Sequence, residues 1–115
     1  MKNVTGRHGE RLTAEYLSNK GYDILERNYM SRYGEIDIIA RDEKYIVFVE
    51  VKTRVRAPLV TGAESVTTSK QQRISATASL YLQQNKTDLQ PRFDVVEVEF
   101  TKSTFEVINH IENAF

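Results

Sequence analysis

The chain has no cysteine among its 115 residues. That excludes disulfides, thiolate metal sites and cysteine nucleophiles, and it suits a reducing cytoplasm. No apolar run is long enough to cross a bilayer as a helix, and the N-terminus lacks the apolar stretch of a signal peptide. The expectation is a cytoplasmic protein with no membrane partner. No P-loop, dinucleotide-binding fingerprint or G-x-S-x-G turn occurs. The two histidines, His8 and His110, lie far apart without metal-ligand spacing and read as structural or surface residues. A surplus of one charge is missing too, because 16 Lys and Arg balance 16 Asp and Glu. Such a chain does not coat nucleic acid through bulk charge.

A length of 115 residues fits one domain, residues 1–115, with a modest core. Apolar spacing predicts a helix over residues 6–20, with Glu10, Ala14 and Leu17 on one stripe and Gly21 after its end. Strands follow near residues 22–29, 35–41 and 45–53, and then a loop over 54–66. A second helix begins near Thr67 or Thr68, where Thr68-Ser69-Lys70-Gln71 fits a capping box, and carries Ile74, Ala78, Tyr81 and Leu82. Alternation over 93–100 and 104–111 gives two more strands. The order α-β-β-β-α-β-β suits an α/β fold, a mixed sheet flanked by helices.

Within that frame the second and third strands carry charge where hydrophobes belong. Gly34-Glu35-Ile36-Asp37-Ile38-Ile39-Ala40 holds an Asp, and Val47-Phe48-Val49-Glu50-Val51-Lys52 holds Glu-x-Lys. Burying a carboxylate is costly unless it is paired or metal-bound. If the polar turn between the strands has an even number of residues and Ala40 faces Tyr45, Asp37 lies opposite Phe48 and diagonal to Glu50. Asp37, Glu50 and Lys52 then share one face. The other face reads Ile36, Ile38, Ala40, Val47, Val49 and Val51, all apolar. Glu-x-Lys alone is ordinary on a solvent-facing strand; the added Asp is what points to a divalent-metal site. Asp37 and Glu50 fit hard cations such as Mg²⁺ or Mn²⁺, which take oxygen ligands. Lys52 would hold or help deprotonate an attacking water.

Other residues enter around this trio. Glu10 lies on the inward stripe of the first helix and is a further acid for the site. Glu35 would face Glu50 and reads as the exposed start of its strand. Residues 52–73 form a basic arc of Lys52, Arg54, Arg56, Lys70 and Arg73 against Glu64 alone. With Arg7 and Arg11 these are candidate phosphate contacts. Gln71 reads as a substrate contact or as a helix cap. Residues 93–115 are acidic, with only Lys102 opposing five acids.

Five segments together carry a resemblance. They are Gly9-Glu10; Gly21-Tyr22-x-Ile24-Leu25-x-Arg27-Asn28; Gly34 through Ala40; Val47 through Arg54; and Arg92-Phe93-Asp94-Val95-Val96. The set resembles the YraN-type family of small bacterial proteins, similar to Holliday-junction resolvases within the PD-(D/E)xK nuclease superfamily. The resemblance implies a restriction-endonuclease-like fold, with Glu10, Asp37, Glu50 and Lys52 as the catalytic set and Ile36 standing where many members carry proline. It implies a metal-dependent endonuclease acting on DNA, branched or single-stranded, and a resolvase-like role would favour a homodimer. The alternative is a non-catalytic nucleic-acid-binding or protein-interaction module that keeps a nuclease fold.

Overall fold

The alternating segments form five strands and the two 3.6-periodic segments form helices, in a computed structural model that describes residues 4–55, 66–101 and 104–115. Helix α1 spans Val4–Asn19, strand β1 Asp23–Ser31, β2 Gly34–Arg41 and β3 Tyr45–Val55. Helix α2 spans Thr68–Gln84, β4 Gln90–Thr101 and β5 Thr104–Ile111. The expected order α-β-β-β-α-β-β is the observed one. One mixed sheet runs β1-β2-β3-β4-β5, parallel only between β3 and β4 and antiparallel elsewhere. That single parallel pair requires a crossover connection, which α2 supplies.

The sheet buries both faces. On one side Leu17 of α1 packs with Tyr22, Ile38, Ala40, Val47, Val49, Val96 and Val98. On the other, Ile74, Ala78 and Tyr81 of α2 pack with Ile36, Ile39, Ile46, Phe48 and Val95. Fully burying a side chain such as Leu17 or Phe48 contributes about 1.5–3 kcal/mol. Tyr81 meets Tyr29 and Phe48 edge to face, with centroids 5.1 and 6.2 Å apart, so it is a core residue as expected.

Four local details differ from the sequence expectation. The β2–β3 turn is even, but it comprises Asp42 to Tyr45, because Arg41 pairs with Ile46. The Asp42 side chain accepts from the Lys44 and Tyr45 amides at 2.8 and 2.7 Å, and this closes the turn two residues' worth of register away from the expected Ala40–Tyr45 pair. Phe48 therefore faces Ile39, not Asp37. Strand β3 extends through Arg54 and Val55, whose parallel ladder with Glu99 and Phe100 draws them out of the expected loop. Arg56 and the rest of that loop, to residue 65, lie outside the described residues. Finally, α2 is capped by Thr67, whose hydroxyl accepts from the Lys70 amide at 3.1 Å, one residue before the expected box.

Candidate functional site

Strand β2 parts from β3 at Asp37. The β2–β3 ladder ends at Ile38–Val49, and the next free amide of β3, that of Val51, donates to Asp37 Oδ2 at 2.8 Å. Across β1, the ladder steps from Arg27–Ile38 to Tyr29–Ile36, and the intervening Asn28 has φ 54°, in the left-handed region. The kink reverses alternation there. Ile36 packs on the α2 side of the sheet whereas Ile38 packs on the α1 side, so the expectation that both line one apolar face fails at Ile36.

Beside this kink, Glu50 lies on the α2 side of β3. Asp37 is 5% exposed and Glu50 6%. Two buried acids on adjacent strands at one point of a sheet are expensive. Burial raises the Glu50 carboxyl above the ordinary range, the Asp37 carboxylate raises it further, and Lys70 and Lys52 pull it back only in part. Lys70, from the first turn of α2, places Nζ 2.5 Å from Glu50 Oε1. Asp37, Lys52 and Lys70 thus all act electrostatically on Glu50.

Glu10 reaches the same end of β3 from the opposite face. It is 3% exposed. Its neighbour Gly9 packs so closely on β3 that a Cβ there would run into the Thr53 hydroxyl. Glu10 lines a cleft of about 480 Å³ with Arg7, Arg27, Asn28 and Glu35. Glu35 is half-buried in that cleft and pairs with Met30 of β1, so it is neither the exposed strand start nor the residue facing Glu50 that its sequence position implied. The second turn of α1 and the first turn of α2 therefore converge on the C-terminal half of β3, one from each face. Among the described residues no three His, Asp or Glu side chains lie close enough to form a metal cage. Asp37 and Glu50 are the pair that could hold a divalent ion such as Mg²⁺, which takes one or two carboxylates and keeps the rest of its shell for water and phosphate.

The basic candidates divide between the helices. Arg7 and Arg11 are exposed on α1, and Arg11 is 2.8 Å from His8 Nδ1. Arg73 is exposed on α2, and Arg54 is half-buried within β3 rather than on a loop. Gln71 donates to the Val66 carbonyl at 2.9 Å, which assigns it to the helix entry.

A family model described as "Uncharacterised protein family UPF0102" matches residues 9–98, a span holding Glu10, Asp37, Glu50 and Lys52. The chain belongs to UPF0102. This is the YraN-type family that its motifs resemble. A UPF0102 protein of Caldanaerobacter subterraneus is 47% identical over 117 residues, covering 99% of this chain and 96% of the relative. Another from Alkaliphilus oremlandii is 47% identical over 118 residues and covers both chains fully. A third, from Nocardia farcinica, is 46% identical over 115 residues, covering 99% and 91%.

Two features of this UPF0102 chain escaped the sequence reading. Glu97 of β4 is buried and is the direct ladder partner of Lys52. It accepts from Asn109 at 3.0 Å. An acid inside the Val95–Val98 run was the available signal, the same one that exposed Asp37 and Glu50. The second feature is a buried ion network at the other end of the sheet. Arg92 donates to both oxygens of Asp94 at 2.9 Å and to the Tyr22 hydroxyl at 2.6 Å. His110 Nε2 donates to Asp94 Oδ2 at 2.7 Å, leaving Nδ1 to accept from Tyr16 at 3.0 Å. His110 is structural, as expected, and Asp94 is fully buried. Among the described residues, no helix is long and apolar enough to cross a membrane.

Proposed function

We propose that this chain is a divalent-metal-dependent endonuclease that hydrolyses phosphodiester bonds in DNA. One observation carries the reading: two buried carboxylates, Asp37 and Glu50, meet where β2 parts from β3, closely enough that one charge raises the pKa of the other. A fold maintains such an arrangement at a cost in stability, and pairs of this kind mark sites that bind cations or move protons. Asp37 and Glu50 would hold Mg²⁺ or Mn²⁺, which supplies polarisation of the phosphoryl oxygen and acidification of a water. Lys52, two residues beyond Glu50 on the same face, orients the attacking water and offsets charge developing on the phosphate. Glu97 beside it in the ladder is placed to hold the Lys52 ammonium in position. Glu10, on α1, is a further acid at that end of β3 but stands across the sheet from Glu50, outside the carboxylate pair. Arg7, Arg11, Arg54, Lys70 and Arg73 are the phosphate contacts in this reading, and Arg56, outside the described residues, is a further candidate from the sequence.

The restriction-endonuclease-like resemblance supports this reading and extends it to branched or single-stranded DNA and to a homodimer, since two symmetric cuts need two sites. The alternative, a non-catalytic nucleic-acid-binding module, draws on the zero net charge. Incubation with junction, single-stranded and duplex DNA in Mg²⁺ or Mn²⁺ separates the two. Cleavage of at least one substrate by the wild type, lost in Asp37→Ala and in chelator, is the expected result. Binding without cleavage of any substrate would transfer the assignment to the non-catalytic module.

A further inference from the structure

We propose that Lys70 is an exchangeable counter-ion for Glu50, released to a nucleic-acid phosphate when the divalent ion enters, so that metal and nucleic acid bind cooperatively. The inference rests on the reading of Asp37 and Glu50 as metal ligands.

Burial decides which partner moves. Glu50 is fixed on a central strand and 6% exposed, whereas the Lys70 side chain is 40% exposed. Lysine is a compact charge on a flexible stem, so it can leave a carboxylate without backbone motion. The backbone of Lys70 stays in place because its amide donates to the Thr67 hydroxyl that caps α2. Only the side chain has to swing.

Charge explains why it swings. Asp37 and Glu50 bring two negative charges, and Lys52 and Lys70 bring two positive ones. These four charges cancel with Lys70 on Glu50, and Glu97, the ladder partner of Lys52, adds one negative charge. A divalent ion added to that arrangement leaves a net positive charge and must displace an ammonium already within 2.5 Å of its ligand. A DNA phosphate changes both terms at once, adding a negative charge and giving Lys70 another partner at the positively polarised start of a 17-residue helix. Each ligand therefore removes an obstacle to the other, and the coupling is reciprocal.

The test is titration calorimetry with Mn²⁺ at constant ionic strength on wild type, Lys70→Gln, Lys70→Arg and Glu50→Gln. Lys70→Gln should bind Mn²⁺ about tenfold more tightly than wild type, a typical size for such a coupling. Lys70→Arg, which keeps the charge, should bind as weakly as wild type. A phosphorothioate single-stranded DNA, present throughout, should tighten Mn²⁺ binding to wild type far more than to Lys70→Gln. Equal Mn²⁺ affinity in wild type and Lys70→Gln, with binding lost in Glu50→Gln, would overturn the exchange while leaving the metal site intact. Binding in Glu50→Gln equal to wild type, or no Mn²⁺ binding by any variant, would overturn both.

Discussion

Glu50 and Asp94 are both buried acids, yet their surroundings push them in opposite directions. Burial would raise the Asp94 carboxyl, but hydrogen bonds from His110, Arg92 and the Asn113 amide hold it below its ordinary value. A depressed carboxyl contributes stability that is present above its unfolded pKa and lost as pH falls through the folded one. Removing the Asp94 carboxylate leaves Arg92 buried without its partner. Asp94→Ala should cost about 3–5 kcal/mol at pH 7, and Asp94→Asn should flatten the fall of stability below about pH 4, where unfolded Asp protonates. Denaturant melts across pH check both; an unchanged acid limb would show that Asp94 is not the group being titrated. Glu50 has the reverse sign. Its pKa is raised by burial and by Asp37, so the folded state holds the proton more tightly than the unfolded chain does, and the stability this contributes is lost as pH rises through the folded pKa. Glu50→Gln should therefore melt above wild type at pH 7, and the difference should vanish below the ordinary Glu value. A variant less stable than wild type at pH 7 would mean that the Lys70 ion pair outweighs the burial and repulsion. A stabilising change that abolishes activity is the expected signature of a functional acid.

At the scale of elements, the close approach of α1 to β3 sets where Glu10 stands. Gly9 has no room for a Cβ against the Thr53 side chain. Gly9→Ala should destabilise by about 1–3 kcal/mol, and adding Thr53→Ala should recover part of that loss because it removes the hydroxyl in the way. Thermal melts of the single and double variants measure it, and a neutral Gly9→Ala would mean that α1 does not sit this close to β3. Every helix and strand was legible in the sequence, because alternation and the i, i+4 spacing are local signals. The side taken by Glu50, opposite Val47 and Val49, was legible as well, since plain alternation along β3 sets it. The pairing partner was not: the Asp42 side chain closes the turn two residues further along in register, which no hydrophobic pattern specifies. Nor was the kink at Asp37, which depends on Asn28 in the neighbouring strand and on a side chain capturing the Val51 amide. Lys70 on Glu50 depends on how α2 crosses the sheet, and Glu97 beside Lys52 on the register of a parallel pair separated by a helix. Both are long-range facts.

Across the whole molecule, two helices on opposite faces aim their N-terminal halves at one end of one central strand, and a separate ion network locks the other end. In open α/β sheets, crevices beyond the carboxyl ends of strands are where ligands bind. In the proposed reading, stability falls to Arg92, Asp94 and His110 and chemistry to Asp37, Glu50 and Lys52. The most direct test of that assignment compares the wild type with Lys52→Ala in the same Mn²⁺-containing samples, measuring both DNA cleavage at saturating enzyme and DNA affinity. Removing a group that assists proton transfer costs about 10²–10⁴-fold in rate, whereas one lost charge is a small part of a many-contact electrostatic affinity. The account predicts a cleavage rate lowered by that factor with affinity nearly unchanged. Full turnover by Lys52→Ala, or no cleavage by wild type on any DNA substrate, would contradict it.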